Sequence, residues 1–118
     1  SLVIPEVEGK VDGMAIRVPT ADVSVIDLVA EVKKKVTTDM VNEAMKQASQ
    51  TNLNGILEVC EKPLVSIDFL GNTHSSIVDA LSTSVMNDHM VKIISWYDNE
   101  WGYSCRVVDL ATYVGQRL

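Results

Sequence analysis

Apolar and polar positions alternate, cluster and space themselves differently along this 118-residue chain. Residues 1–7 are rich in apolar groups and predict the end of a helix, closed at Glu8-Gly9-Lys10 because glycine readily takes the left-handed conformation at a helix end. Residues 11–18 alternate, with Met14, Ile16 and Val18 on one face and Gly13, Ala15 and Arg17 on the other, which predicts a strand ended by Pro19 and a turn at Thr20-Ala21-Asp22. Residues 23–32 predict a second strand with apolar groups on both faces, Val23, Val25 and Val29 against Ile26, Leu28 and Val32. A strand apolar on both sides needs cover on both sides, by helices on one and by another sheet or a second subunit on the other.

Residues 38–49 carry a helical stripe of Met40, Val41, Ala44, Met45 and Ala48, with Thr37 or Thr38 as the cap. Residues 56–59 predict a short strand, and residues 64–69 an extended segment leading to a turn at Gly71-Asn72. Two strands are expected at 77–81 and 82–86, then a turn at Asn87-Asp88 and a strand over 90–96. Residues 103–118 have helical spacing at Val107, Leu110, Ala111, Val114 and Leu118. The sum is an α+β unit: a mixed, mostly antiparallel sheet with helices on one face and a C-terminal helix. No repeat, low-complexity tract or linker divides it.

Composition narrows the function classes. The net charge is −6, and Lys and Arg are scattered apart from Lys33-Lys34-Lys35, which reads as a solvated strand end. Nucleic-acid binding is disfavoured, since phosphate affinity needs clustered positive charge. Cys60 and Cys105 lie far apart with no metal-type spacing, and neither sits in a setting that makes it the expected nucleophile. No apolar run approaches the ~20 residues that span a bilayer, and no leader pattern is visible, so a cytoplasmic setting is expected. The opening Ser1-Leu2-Val3-Ile4 lacks a Met and falls inside an apolar pattern, which reads as a cut within a longer protein.

Candidate chemistry concentrates at one place. Both tryptophans and two of the three tyrosines lie between Trp96 and Tyr103, around Asp98-Asn99-Glu100, where a strand pattern gives way to a helical one. Rigid rings beside amide and carboxylate groups at such a turn suit ligand recognition. Asn99 offers a donor and an acceptor on one planar amide, which matches a carboxamide, and Tyr97 and Tyr103 add apolar faces with hydroxyl tips. A well-packed corner is the alternative. Arg17, on a strand just before a proline turn, can aim a planar fork at a phosphate or carboxylate, but spacing alone favours a salt bridge to Asp22 or Asp27. His74, in Thr73-His74-Ser75-Ser76, is read as a loop organiser rather than a base, because adjacent residues rarely face one another correctly. No glycine-rich dinucleotide or phosphate motif is present.

Three blocks, in order, resemble the catalytic domain of phosphorylating glyceraldehyde-3-phosphate dehydrogenase: Gly13-Met14-Ala15-Ile16-Arg17-Val18-Pro19-Thr20 with Val23-Ser24-Val25-Ile26-Asp27-Leu28 behind it; Thr73-His74-Ser75-Ser76; and Trp96-Tyr97-Asp98-Asn99-Glu100-Trp101-Gly102-Tyr103-Ser104. The resemblance covers essentially the whole chain and marks it as the C-terminal segment. It implies a full enzyme that oxidises glyceraldehyde 3-phosphate with NAD and inorganic phosphate. The nucleophilic Cys, the base His and the NAD-binding Rossmann domain would all lie upstream, so 1–118 is a partial catalytic domain, expected to be inactive alone.

By the same resemblance, Arg17 binds phosphate of the substrate or of the attacking ion. Asn99 holds the nicotinamide carboxamide, Tyr103 lies beside that ring and Tyr97 lines the pocket. The strand at 23–32 corresponds to a homotetramer interface, and the last helix packs on the nucleotide domain. Cys105 departs from the family, which often has a polar residue there. NADP in place of NAD is decided upstream. Erythrose-4-phosphate dehydrogenase is the near relative, although Thr73-His74-Ser75 and Trp96-Tyr97-Asp98 favour the glyceraldehyde enzyme. The reading from another class is a non-enzymatic remnant that binds partner subunits. A free-standing anion-binding module using Arg17 and Asn99 is weaker.

Overall fold

A four-stranded sheet organises the chain. The structure, a computed structural model, describes residues 3–118. Its elements are a 3-10 turn at Pro5–Val7, strand β1 (Ser24–Glu31), helix α1 (Thr38–Gln50), strand β2 (Leu57–Cys60), a 3-10 turn at Ser66–Phe69, strands β3 (Ser76–Met86) and β4 (Met90–Tyr97), and helix α2 (Trp101–Gly115). The strands lie in the order β1-β4-β3-β2. β4 pairs antiparallel with both β1 and β3, while β2 joins β3 in parallel. This is the expected α+β class, with a mixed, mostly antiparallel sheet and a C-terminal helix.

Local chemistry explains the elements. Asn87 and Asp88 both have positive φ, 51° and 60°, so the β3–β4 hairpin closes through two left-handed residues of the types that tolerate that conformation. Thr37 caps α1, its hydroxyl accepting from Met40 N at 3.2 Å. Two apolar clusters form on the two faces of the sheet. Leu57, Val78, Val91 and Ile93 pack under α1 through Val41, Met45 and Ala48. On the other face Ile77, fully buried, meets Val23, Cys60 and Phe69, with Leu64 and Trp96 against them.

Several expectations are corrected. Ser1 and Leu2 lie outside the described residues, and the helix end expected at the start of the chain is replaced by one 3-10 turn at Pro5–Val7. Gly9 does take positive φ, +70°. Residues 11–18 are no strand: they run irregularly with Met14, Ile16 and Val18 exposed. Alternation gives a chain two sides, but a strand also needs a neighbour for its N–H and C=O groups, and no described element pairs with this segment.

Residues 64–69 are not extended throughout. Asp68 accepts from Val65 N at 2.8 Å and closes a 3-10 turn, which lets Phe69 stack on Trp96 with ring centroids 6.0 Å apart. The two strands expected at 77–81 and 82–86 are one, β3, with a register shift between Asp79 and Ser84. Asp79 organises that irregularity by accepting from Leu81 N, Ser82 N and Ser82 Oγ. The α1 stripe is narrower than expected, since Met40 and Ala44 stay exposed. α2 starts two residues earlier than its apolar spacing implied.

Candidate functional site

β4 ends at Tyr97, and α2 begins at Trp101. Between them Asp98, only 2 % exposed, has no room for a hydrated carboxylate. Backbone N–H groups solvate it instead. Its Oδ1 accepts from Trp101 N at 2.7 Å and Glu100 N at 3.0 Å, and its Oδ2 from Gly71 N at 2.8 Å. Burial pushes the Asp98 carboxyl pKa up, but the Trp101, Gly71 and Glu100 N–H donors outweigh it and hold the group below its ordinary range. The carboxylate thus satisfies N–H groups at the start of α2 and ties that start to the 69–72 turn.

The first turn of α2 sits tightly against the segment before β3. A Cβ on Gly102 would lie 3.1 Å from the His74 carbonyl oxygen, so only a glycine fits without movement. One turn later Arg106 reaches across the same junction. Its Nη1 donates to Gly55 O at 3.1 Å and to Ser75 Oγ at 3.3 Å, while Nε and Nη2 hold Asp109 at 2.8 Å. His74 is a loop organiser, as expected. Its Nδ1 lies 2.9 Å from Asn72 Oδ1 and 3.1 Å from Glu58 Oε2, and Asn72 Nδ2 donates to the same Glu58 oxygen.

These contacts frame a shallow cleft of about 290 Å³ lined by Ser75, Tyr97, Asp98, Asn99, Gly102, Tyr103 and Arg106. Three of the four residues singled out from sequence, Asn99, Tyr97 and Tyr103, are brought together there. Asn99 Oδ1 accepts from Ser24 Oγ at 3.0 Å, and its Nδ2 has no protein acceptor among the described residues. That leaves a planar amide with one donor edge available, which suits the carbonyl oxygen of a carboxamide. The fourth residue, Arg17, is not brought in: it lies on the exposed irregular segment and does not line the cleft. Nor does it make the alternative salt bridge to Asp22 or Asp27. Asp27 pairs with Lys92 at 2.9 Å, and Asp22 accepts from Val23 N.

The rings do less than their clustering suggested. Tyr103 and Trp101 are largely exposed, and Trp96 faces the opposite apolar cluster. Backbone N–H groups hold the polar core of the turn. Sequence reasoning missed Ser24, which comes from the adjoining edge strand β1 and becomes a neighbour only through the β1–β4 register. It also missed Arg106, whose only signal was an aspartate three residues on. No helix among the described residues is long and apolar enough to cross a membrane.

With this geometry in view, comparison with known proteins is unambiguous as to family. The family described as glyceraldehyde 3-phosphate dehydrogenase, C-terminal domain, matches residues 1–99. Glyceraldehyde-3-phosphate dehydrogenase 2 of Bacillus subtilis is 52% identical over 118 residues, covering 100% of this chain and 35% of that protein. The Geobacillus stearothermophilus enzyme is 58% identical over 117 residues, 99% of this chain and 35% of that protein. Chloroplastic glyceraldehyde-3-phosphate dehydrogenase A of Zea mays is 60% identical over 111 residues, 94% of this chain and 28% of that protein. The chain spans about a third of the length of the curated relatives it matches. It belongs to the glyceraldehyde 3-phosphate dehydrogenase C-terminal domain family.

Proposed function

We propose that this chain works as the C-terminal, catalytic-domain segment of a phosphorylating glyceraldehyde-3-phosphate dehydrogenase, and that alone it is inactive. The parent would convert glyceraldehyde 3-phosphate, inorganic phosphate and NAD to 1,3-bisphosphoglycerate and NADH, in the cytoplasm and as a homotetramer. The observation that carries this reading is the Asn99 amide, presented in a cleft at the strand-to-helix turn with its oxygen engaged and its Nδ2 free. The high identity to relatives named glyceraldehyde-3-phosphate dehydrogenase supports the dehydrogenase part of this reading.

Each residue would have one task. Asn99 donates to the nicotinamide carboxamide oxygen and so selects which ring face is presented. Tyr103 lies beside that ring and Tyr97 lines the same pocket. Arg17 binds phosphate once the exposed segment around it is covered in the assembled enzyme. The nicotinamide, when bound, supplies hydride acceptance. The thiol nucleophile and the base would come from another part of the protein, since catalysis needs nucleophile and cofactor held together.

A second reading, a non-enzymatic subunit-binding piece, is favoured by β1, where Val25, Ile26, Leu28 and Val29 are all about half exposed. One experiment separates the two. The coding sequence upstream of Ser1 is read, and the encoded protein is assayed for phosphate-dependent NADH formation beside residues 1–118 alone. Activity in the longer protein and none in the segment is the expected result. A longer protein without activity, or without a nucleotide-binding domain, would leave the subunit-binding reading.

A further inference from the structure

Ser24 opens β1 directly after Val23, and the backbone at Val23 is unusual. Its φ is 67°, in the left-handed region that a β-branched residue rarely enters. Such a conformation persists only when the surroundings over-determine it. Here they do so from three sides. The Val23 side chain is buried in the cluster with Cys60, Phe69 and Ile77. Its N–H donates to Asp22 Oδ1 at 2.7 Å, and its carbonyl accepts from Ser66 Oγ at 3.3 Å. The chain therefore enters β1 from a fixed pivot, with Ser24 set opposite Tyr97 in the register. From there the Ser24 hydroxyl reaches Asn99 Oδ1, 75 residues away in sequence.

We propose that Ser24 is a positioning residue for Asn99: its hydroxyl occupies the amide oxygen, fixes the amide plane and leaves Nδ2 as the donor offered to the cleft. The inference rests on the role of Asn99 proposed above and extends it to a residue on another strand. A free amide could turn over and present oxygen to a carbonyl-bearing ligand, which repels it. With the Ser24 hydroxyl donating to Oδ1 at 3.0 Å, one edge of the amide is held and Nδ2 is the edge turned to the cleft. Strain at Val23 lies where strain is expected, next to a group that must be held in place.

The test uses the full-length protein. Ser24→Ala raises the Michaelis constant for NAD roughly 2- to 10-fold, the range for one lost hydrogen bond, and leaves that for inorganic phosphate unchanged. Ser24→Thr, which keeps the hydroxyl, restores the NAD constant. Because the effect passes through Asn99, the Ser24→Ala/Asn99→Ala double variant is no worse than Asn99→Ala alone. Full additivity in the double variant overturns the proposal. So does a loss that falls equally on NAD and phosphate, which is what a merely structural role would produce. If Asn99→Ala impairs NAD binding and Ser24→Ala does not, the positioning role alone is wrong. If Asn99→Ala itself leaves NAD binding unaltered, the reading of the cleft fails and this inference falls with it.

Discussion

The Asp98 carboxylate and the Gly71 N–H, 27 residues apart, meet at 2.8 Å, and this bond fastens the loop before β3 to the entry of α2. Asp98→Ala removes the acceptor for three backbone donors at once. Stranding a buried N–H costs about 1–3 kcal/mol and losing a helix-start acceptor about 1 kcal/mol. We expect a loss of about 2–4 kcal/mol of stability, read as a shift of the urea midpoint. An unshifted midpoint would show that water replaces the carboxylate.

The same carboxylate makes stability depend on pH in a predictable direction. Its pKa in the folded chain lies below the ordinary value of 3.8. Such a group stabilises the fold above its unfolded pKa, and the contribution is lost as pH falls through the folded one. Wild-type protein should therefore lose stability below about pH 3.8 more steeply than Asp98→Asn does. Thermal midpoints of both across an acid series check this, and parallel curves would refute it.

Gly102→Ala sets two effects against each other. Alanine favours the helix by ~1 kcal/mol over glycine. Its methyl group would sit 3.1 Å from the His74 carbonyl, and overpacking against backbone costs about 1–3 kcal/mol. The balance is a destabilisation of about 1 kcal/mol, with weaker NAD binding in the full-length protein because the first turn of α2, which lines the cleft with Asn99, is displaced from the His74 segment. Denaturant titration and NAD binding, measured on the same variant, test both parts.

Asn99→Ala should raise the Michaelis constant for NAD in the full-length protein and lower turnover. The thermal midpoint should scarcely move, since Asn99 is exposed and, among the described residues, its side chain makes a single hydrogen bond, to Ser24. A fall in stability with intact kinetics would make Asn99 a structural corner.

Arg17→Ala should weaken phosphate or substrate binding by roughly 1.5–3 kcal/mol, the range for a hydrogen bond to a charged group. Folding should be untouched, because no described residue bonds to the Arg17 side chain in this chain. Unchanged Michaelis constants for both ligands would remove Arg17 from the site.

How far an element is legible in sequence depends on how far away its determinants lie. α1 and the β3–β4 hairpin are set by neighbours in sequence, the Thr37 cap and the Asn87-Asp88 turn, and their pattern is readable. Residues 11–18 show the reverse. Their alternation is real, yet a strand depends on a partner that sequence does not name. The cleft is half legible: Asn99, Tyr97 and Tyr103 are local to one turn. Ser24, Gly71 and Ser75 converge on it only through sheet register and loop packing, and no periodicity encodes that. Asp98 is visible as a carboxylate, but its bond to Gly71 is not.

The β1–β4 register has a kinetic consequence. Among the described strands β1 is made first, and its partner on the sheet, paired from Glu31↔Met90 to Ser24↔Tyr97, is made last. Until residue 97 is available, a strand with apolar groups on both faces has no ladder to join among the described strands. Pairings this distant carry a loop-closure cost that must be met before any contact rewards it. The interval between making β1 and closing the sheet is thus when the nascent chain is most open to pairing with the wrong edge, and a chaperone acting on this protein would find its task there.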